Sequence, residues 1–211
     1  MRFRRFGYFL AIGAVAVAVP TAVAAATGGE QNHARLKPVP HDHVASGHSQ
    51  VTARSTLVRQ GKFVVVRVHV KGSAPGLVHA QHIHGVALNK CPTIGRDDNH
   101  DGLIDTTEGS PAYGGIRVSL TASGDTSPAS GLAVDRFPVA DGDGSYDYVR
   151  KLHIGTEISR NVANNLDRFH IVVHGIDTNH NGEYDFSKGP SDLDPALPQE
   201  ATVPAACGLI R

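Results

Sequence analysis

Short runs in which apolar and polar residues alternate dominate the chain beyond residue 50. From residue 64 to residue 70 every second position is valine, and such alternation predicts a strand with one buried face over residues 62–70. Weaker runs of the same kind predict strands at 51–58, 77–87, 115–121, 131–139, 145–154, 167–174 and 201–210. Because turn residues separate these runs and no sustained helical pattern appears, they predict an all-β antiparallel barrel or sandwich with Greek-key connections.

Composition narrows the class of protein. Of the 211 residues 40% are hydrophobic and 19% charged, enough for one sizeable core, so residues 51–211 are expected to form a single domain. The 20 basic and 20 acidic residues balance, which disfavours nucleic acid or an anionic membrane as a partner. The 13 histidines exceed ordinary usage. They fit copper or zinc binding, although a titratable surface would give the same count.

The N-terminal residues predict export. Arg2, Arg4 and Arg5 precede an apolar run at 9–19 and small residues at 22–26, which is the pattern of a signal peptide over residues 1–26. We therefore expect a secreted or cell-envelope (periplasmic) protein; a retained membrane anchor is the alternative. Residues 27–50 have no sustained periodicity and predict a flexible, histidine-containing linker, with metal capture as a second interpretation.

Two cysteines, Cys91 and Cys207, are the only ones in the chain. In an exported protein an even pair predicts a disulfide. The bond would tie the segment after residue 85 to the C-terminal strand. By closing a long loop it would stabilise the fold by roughly 4 to 5 kcal/mol.

The sequence HAQHIHG at residues 79–85 carries the first candidate site. On a strand, His82 and His84 would share one face with Cβ atoms roughly 6 to 7 Å apart, while His79 would point to the other face. Such a pair can chelate one copper or zinc ion and needs one or two further ligands. His170 and His174 lie about 13 Å apart along one strand face, so only one of them can join the pair. The alternative is a metal-free, hydrogen-bonded pair.

Residues 97–108, DDNHDGLIDTTE, match the calcium loop of EF-hand proteins. Oxygen-bearing residues, a central glycine, an apolar residue and a final glutamate all fall at the required positions. Proline and glycine on both flanks disfavour a helix pair, so we expect a structural calcium loop rather than a sensor. The alternative is an acidic turn without an ion. The calcium ligands would be Asp97, Asn99, Asp101, the Leu103 carbonyl, Asp105 through water, and Glu108.

A second loop at residues 177–188 repeats the pattern but has Lys188 in place of the final glutamate. It is therefore the weaker predicted calcium site, either binding its own ion or sharing the ion of the first loop. Both loops carry a histidine at the fourth position, His100 and His180, where side chains usually face solvent. The ligands of this second loop would be Asp177, Asn179, Asn181 and Asp185.

These blocks follow the order found in copper/zinc superoxide dismutases, which the chain resembles over residues 51–210. The resemblance rests on HAQHIHG, on Cys91 soon after it, on IVVHG at 171–175 and on AACGLI at 205–210. It implies a superoxide dismutase-like Greek-key barrel with copper as cofactor and superoxide as substrate. Matched residue by residue, His82, His84 and His174 would hold copper and His79 would be structural. The CHRD module, which also carries a His-Ile-His-Gly stretch, is a second relative.

Departures from the family change what the resemblance implies. The histidines that hold zinc after the first cysteine are absent, so zinc is not expected. Pro204 replaces the arginine that attracts superoxide, which weakens the expectation of fast dismutation unless Arg96 or Arg168 substitutes. In this fold the two Asp/Asn loops would meet over the copper. Calcium would then organise them in place of zinc, with His100 or His180 as a fourth copper ligand.

Three functions remain open from the sequence. The first is a copper-dependent superoxide dismutase. The second is a copper buffer or carrier without turnover, and the third is a non-catalytic, calcium-stabilised CHRD-like module of the cell envelope. Whether the protein is an enzyme therefore stays open, because similarity of fold does not decide among these functions.

Overall fold

The computed structural model describes residues 29–41 and 50–211, which form an all-β half-barrel built from one eight-stranded antiparallel sheet. This confirms the predicted fold class. No helix in the described ranges is long and apolar enough to cross a membrane. The strands are β1 (Gln31–Pro38), β2 (Thr52–Gln60), β3 (Phe63–Lys71), β4 (Gln81–Gly85), β5 (Gly115–Ser119), β6 (Tyr146–His153), β7 (Phe169–His174) and β8 (Pro204–Leu209). The helices are α1 (Thr106–Tyr113), α2 (Arg160–Asn164) and α3 (Gln199–Thr202), with 3-10 turns at Ile94–Arg96, Pro128–Ser130, Val134–Arg136, Leu166–Arg168 and Phe186–Lys188.

The strand order is β5-β4-β7-β8-β1-β2-β3-β6. After β3 the chain crosses to form β4 and β5, returns to pair β6 with β3, and crosses again to pair β7 with β4. These are the predicted Greek-key connections. β1 joins the two halves of the sheet, because it pairs with β2 along its length and its end pairs with β8, where Lys37 lies opposite Cys207.

The main core lies on the inner face of the sheet. The four alternating valines of β3 are each at most 1% exposed, as the sequence predicted. β4 and β7 are buried on both faces. Their inward residues, including Ile83 and Ile171, join the core, and loops and short helices cover their outward residues. That second covered face contains the histidines.

The predicted linker is wrong for its first part. Gln31–Pro38 is strand β1, with Asn32, Ala34 and Leu36 turned inward and the residues between them exposed. Only two of these inward residues are apolar, so the alternation escaped the sequence pattern. The predicted signal peptide (residues 1–26) and the rest of the linker around His43 and His48 lie outside the described residues.

The predicted strand at 131–139 is also wrong. The segment holds the 3-10 turn Val134–Arg136, and only Val139 forms a bridge, to Val78.

Helix α1 was not expected, because the sequence showed no sustained helical pattern. Asp105 caps this helix by accepting a hydrogen bond from the Glu108 backbone N–H, while the Glu108 side chain accepts one from the Asp105 N–H. This reciprocal cap lets the helix begin despite Gly109 and Pro111.

The predicted disulfide is confirmed. Cys91, in the loop after β4, is bonded to Cys207 on β8, with Cα atoms 5.7 Å apart and a sequence separation of 116 residues. Cys207 is 2% exposed and packs with Val39, Ile104, Tyr113 and Val172 in a small apolar cluster on the outer face of the sheet. The bond fixes the long loop after β4 over that face.

Candidate metal centre

Three histidines converge on the covered face of β4 and β7. His82 and His84 share one face of β4, and β7 brings His174 beside them, with ring centroids 5.0 to 5.7 Å apart. One ring nitrogen from each lies within 4.8 Å of the others. The ladders are irregular next to His84 and next to His174. Such bulges turn side chains out of their regular directions.

The opposite nitrogen of each ring donates to a backbone carbonyl, which fixes the tautomer. The His82 Nε2 donates to Gly131 O at 3.0 Å and the His84 Nδ1 to Gly114 O at 2.8 Å. The His174 Nδ1 donates to Thr202 O at 2.7 Å. The remaining nitrogens are therefore acceptors in the neutral rings, and all three are buried without a hydrogen-bond partner.

Burial keeps these rings neutral. Desolvation lowers the pKa of His82 well below 6.5, with further lowering from His174 and His84. It lowers the pKa of His84 to about 3 and that of His174 to about 4. At neutral pH three lone pairs therefore face one another with no proton between them. Unpaired buried acceptors cost stability, and a bound cation would satisfy all three at once.

The donor set fits copper or zinc. Neutral imidazole suits both metals, and ligand histidines commonly donate their second nitrogen to a carbonyl, as these do. Aromatic rings wall the cluster: Tyr113 lies 4.8 Å from the His84 ring and Phe137 lies 5.3 Å from the His82 ring. The residue whose carbonyl accepts from His84 must be glycine. A Cβ at position 114 would lie 2.1 Å from the Gly85 carbonyl oxygen, and the φ angle of +88° is one that other residues rarely adopt.

Buried neutral histidines make the metal-free fold sensitive to acid. In the unfolded chain these histidines take up protons near pH 6.5, whereas in the folded chain they do so only at about pH 4 or below. The free energy of unfolding therefore decreases as the pH falls from 6.5 toward 4. Each such histidine contributes a slope of up to about 1.4 kcal/mol per pH unit. We expect the urea midpoint in chelator to fall markedly from pH 7 to pH 5. Equal midpoints, or a fall that the exposed-site variant His69→Ala removes, would contradict this.

Two further buried histidines, His79 and His41, have structural roles near the trio. His79 stacks on Tyr146 of the main core, with ring centroids 5.9 Å apart, which puts it on the face away from the trio as predicted. It is fully buried, and its two ring nitrogens lie 3.0 Å from His174 O and 3.2 Å from Ala74 O. His41, expected in a linker, is buried: its Nε2 donates to Pro204 O and its Nδ1 accepts from the Ile104 N–H. Both rings hold the covering segments against the strands.

The structure also gives the positions of His100 and His180, the predicted fourth copper ligands. His100 and His180 are exposed, in the left-handed conformation at φ +59° and +58° that turns the loop. Neither joins the cluster of ligand atoms among the described residues, so neither is a fourth ligand in this arrangement.

Arg117 of β5 is a cation that acts on the trio. It donates to Gly85 O at 3.4 Å, and its charge further lowers the pKa of His84. No pattern in the sequence indicated Arg117.

The carboxylates of the first Asp/Asn loop accept hydrogen bonds from the backbone of the same loop. The Asp97 carboxylate accepts from the N–H groups of Asp101 and Gly102, at 3.2 and 3.0 Å. The Glu108 carboxylate spans the loop, accepting from the Asp98 N–H at 2.9 Å and the Asp105 N–H at 3.0 Å. Burial and neighbouring carboxylates raise the pKa of Asp105 to about 6.

The second loop repeats these contacts with a glutamate that the sequence pattern missed. The Asp177 carboxylate accepts from the N–H groups of Asn181 and Gly182, as Asp97 does at the matching positions. Glu200 of α3, fully buried, accepts from the N–H groups of Thr178 and Asp185 at 2.8 and 2.9 Å. These are the second and ninth loop positions, the same two that Glu108 spans in the first loop. Glu200 thus occupies the role expected of residue 188.

Each loop leads to a carbonyl that holds a histidine of the trio. The first loop runs into α1, and Gly114 at the end of α1 accepts from His84. Glu200 of the second loop lies on α3, and Thr202 on the same helix accepts from His174 and from the Thr106 hydroxyl. Nothing in local sequence links these residues, because the contacts are long-range.

Comparison with known proteins adds no identification. No protein-family model matches the chain, and no curated protein matches it.

Proposed function

We propose that this is an exported copper-binding protein of the superoxide dismutase-like kind, with copper held by His82, His84 and His174. One observation carries the proposal: three buried imidazole nitrogens converge without partners, while the opposite nitrogens donate to carbonyls. A buried acceptor trio is costly unless it has a ligand. The order of HAQHIHG, Cys91, His174 and Cys207, together with the Greek-key topology, supports the likeness to copper/zinc superoxide dismutases.

Copper bound there would supply one-electron redox chemistry toward superoxide. The chain's own residues would fix geometry and exclude water: the carbonyls of Gly114, Gly131 and Thr202 orient the rings, and Tyr113 and Phe137 close the sides. Arg117 supplies positive charge near His84, which would draw an anion toward the centre in place of the arginine replaced by Pro204.

A second candidate function is copper buffering or delivery without turnover. It is favoured by the burial of the trio, since the three free nitrogens have essentially no exposed surface. A small anion needs an open coordination position to reach a metal centre, whereas a buffer needs only a tight site. A non-catalytic, CHRD-like envelope module would have neither copper nor turnover.

Superoxide dismutation by the copper-loaded protein, with calcium present, separates these functions. Copper-dependent activity that is lost in His174→Ala would support the enzyme. One tightly bound copper without activity would support the buffer. Protein that binds no copper, judged by visible absorption and electron paramagnetic resonance, would overturn the proposal. The variant His33→Ala, at an exposed position of β1, is the matched control.

We also propose that calcium binds both Asp/Asn loops and organises the segments over the trio. The first loop contains every oxygen ligand of the EF-hand calcium-loop pattern. In the second loop, Glu200 makes the backbone contacts that Glu108 makes in the first, in place of the glutamate missing at position 188. Because Gly114 and Thr202 follow these ligands closely, an ion in either loop would hold the carbonyls that orient His84 and His174.

Glu200→Gln is expected to reduce the stabilisation that calcium gives, while shape is kept and one charge is removed. A ligand bound only by the folded chain, at a hundred times its Kd, stabilises by about 2.7 kcal/mol per site. We expect the variant to retain the first-loop contribution and lose that of the second. Thermal melts with calcium or chelator measure this. Glu183→Gln, exposed in the same loop, is the matched control. Equal calcium responses in the two variants would contradict the role of Glu200.

A further inference from the structure

A second cluster of metal-binding side chains lies beside the disulfide. A ring nitrogen of His170 and the sulfur atoms of Cys91 and Cys207 all lie within 4.8 Å of one another. His170 and the trio are on the same face of the sheet, since His170 pairs with His84 across the β4–β7 ladder. The two clusters share no residue.

His170 has no partner that explains its burial. Its side chain is 1% exposed, and its Nδ1 is buried without a hydrogen bond. In the trio each ring is held by a carbonyl, but no such contact holds Nδ1 of His170. Nearly all buried polar atoms in proteins are paired, so a buried ring that has an unpaired nitrogen and lies beside two sulfurs indicates a role that the oxidised chain does not use.

We propose that reduction of the Cys91–Cys207 disulfide converts this cluster into a zinc site of Cys91, Cys207 and His170. In the oxidised chain the two sulfurs are bonded to each other and neither is a thiolate. A dithiol reductant would supply two electrons and two protons, breaking the S–S bond and becoming a disulfide itself. The two new thiols would then release their protons to solvent as Zn²⁺ binds. Metal affinity at this place would therefore depend on the redox state of the chain.

The geometry suits a tetrahedral ion. Zinc takes thiolate at about 2.3 Å and imidazole at about 2.0 to 2.1 Å, so the sulfurs must move to roughly 3.7 Å apart. With Cα atoms 5.7 Å apart, rotation of the two cysteine side chains can open this gap. Cys207 and His170 lie on paired strands, whereas Cys91 lies in a loop and is free to adjust. Cys91 is also partly exposed, which provides an entry path and a fourth position for water.

The surroundings favour a bound cation over bare thiolates. Val39, Ile104, Tyr113 and Val172 pack around Cys207 and leave it 2% exposed. An apolar setting disfavours an unpaired thiolate, because burial penalises the charged form. A zinc ion would neutralise both thiolates and take up the His170 lone pair. Cys₂His with an open position is an established donor set for zinc.

Cobalt titration of the reduced protein tests the proposal. With a phosphine reductant, calcium present and oxygen excluded, Co²⁺ is expected to produce intense near-ultraviolet thiolate-to-cobalt absorption that saturates at one ion and that Zn²⁺ displaces. The disulfide form is expected to lack this absorption. Because the trio contains no sulfur, cobalt bound there cannot produce it.

Variants assign the ligands. His170→Ala is expected to weaken cobalt binding by at least about tenfold, since even the loss of a group that only hydrogen-bonds to a metal ligand costs that much. Cys91→Ala/Cys207→Ala is expected to abolish the absorption, and His69→Ala, an exposed histidine on β3, to leave it unchanged. Absence of the absorption in the reduced wild-type chain, or an undiminished signal in His170→Ala, would overturn the proposal. So would a reduced chain that is unfolded by circular dichroism with and without cobalt.

Discussion

A chain carrying His84→Ala is expected to bind copper at least about a hundredfold more weakly than the native chain. Losing a group that only hydrogen-bonds to a metal ligand already costs about tenfold to a hundredfold, and losing the ligand itself costs more. His84 is buried, its Nδ1 is held by Gly114, and its free Nε2 faces the two other rings. Competition against a chelator of known affinity measures the change, and electron paramagnetic resonance reports the loss of nitrogen ligands.

The matched control for this experiment is His100→Ala. His100 is exposed in the first Asp/Asn loop and stands outside the trio, so its removal should leave copper affinity unchanged. A loss in the His100 variant comparable with that in the His84 variant would mean that the loop folds over the metal on binding. An unchanged affinity in His84→Ala would remove this residue from the ligand set.

The Cys91→Ala/Cys207→Ala variant is expected to lose about 5 kcal/mol of unfolding free energy. The bond closes a loop with a sequence separation of 116 residues, and in the chain-entropy model opening a loop of this length stabilises the unfolded state by this amount. For a chain of this length that corresponds to a fall in Tm of roughly 10 to 20 °C. Urea unfolding in chelator, at one pH and protein concentration, measures the difference.

Alanine is chosen for both cysteines because Cys207 sits in an apolar cluster where a serine hydroxyl would lack a partner. Reducing the native chain with a phosphine should give nearly the same loss, which separates the bond from the side chains. A loss below about 1 kcal/mol in both experiments would mean that the unfolded chain is already compact around these residues.

The sequence was most informative where one strand face is apolar. The valines of β3 predicted that strand, and HAQHIHG predicted the opposed directions of His79 and the His82/His84 pair, which the structure reproduces. Local periodicity suffices there because successive side chains of a strand must alternate. β1 was missed because Asn32 interrupts its inward row and leaves only Ala34 and Leu36 as a signal.

The remaining parts of the candidate site depend on contacts between distant residues. Glu200 reaches the second Asp/Asn loop from α3, and the carbonyls of Gly131 and Thr202 reach histidines on other elements. Every residue has a backbone carbonyl, so no sequence pattern can predict which carbonyl accepts a hydrogen bond from a histidine. Strand periodicity left both His170 and His174 open as partners of the His82/His84 pair, and only the family resemblance chose His174, which lies beside the pair.

The position of β1 has a consequence for how the chain acquires its fold. The His33 N–H donates to the Arg211 carbonyl and the Arg211 N–H donates to the His33 carbonyl, so residues from opposite ends of the described chain form one hydrogen-bonded pair. The sheet therefore cannot close while residue 211 is still inside the ribosomal exit tunnel. Pairings of such long sequence separation also slow folding. If the chain is exported as proposed, this delay would leave it open while it is threaded through a translocation pore, before its strands come together.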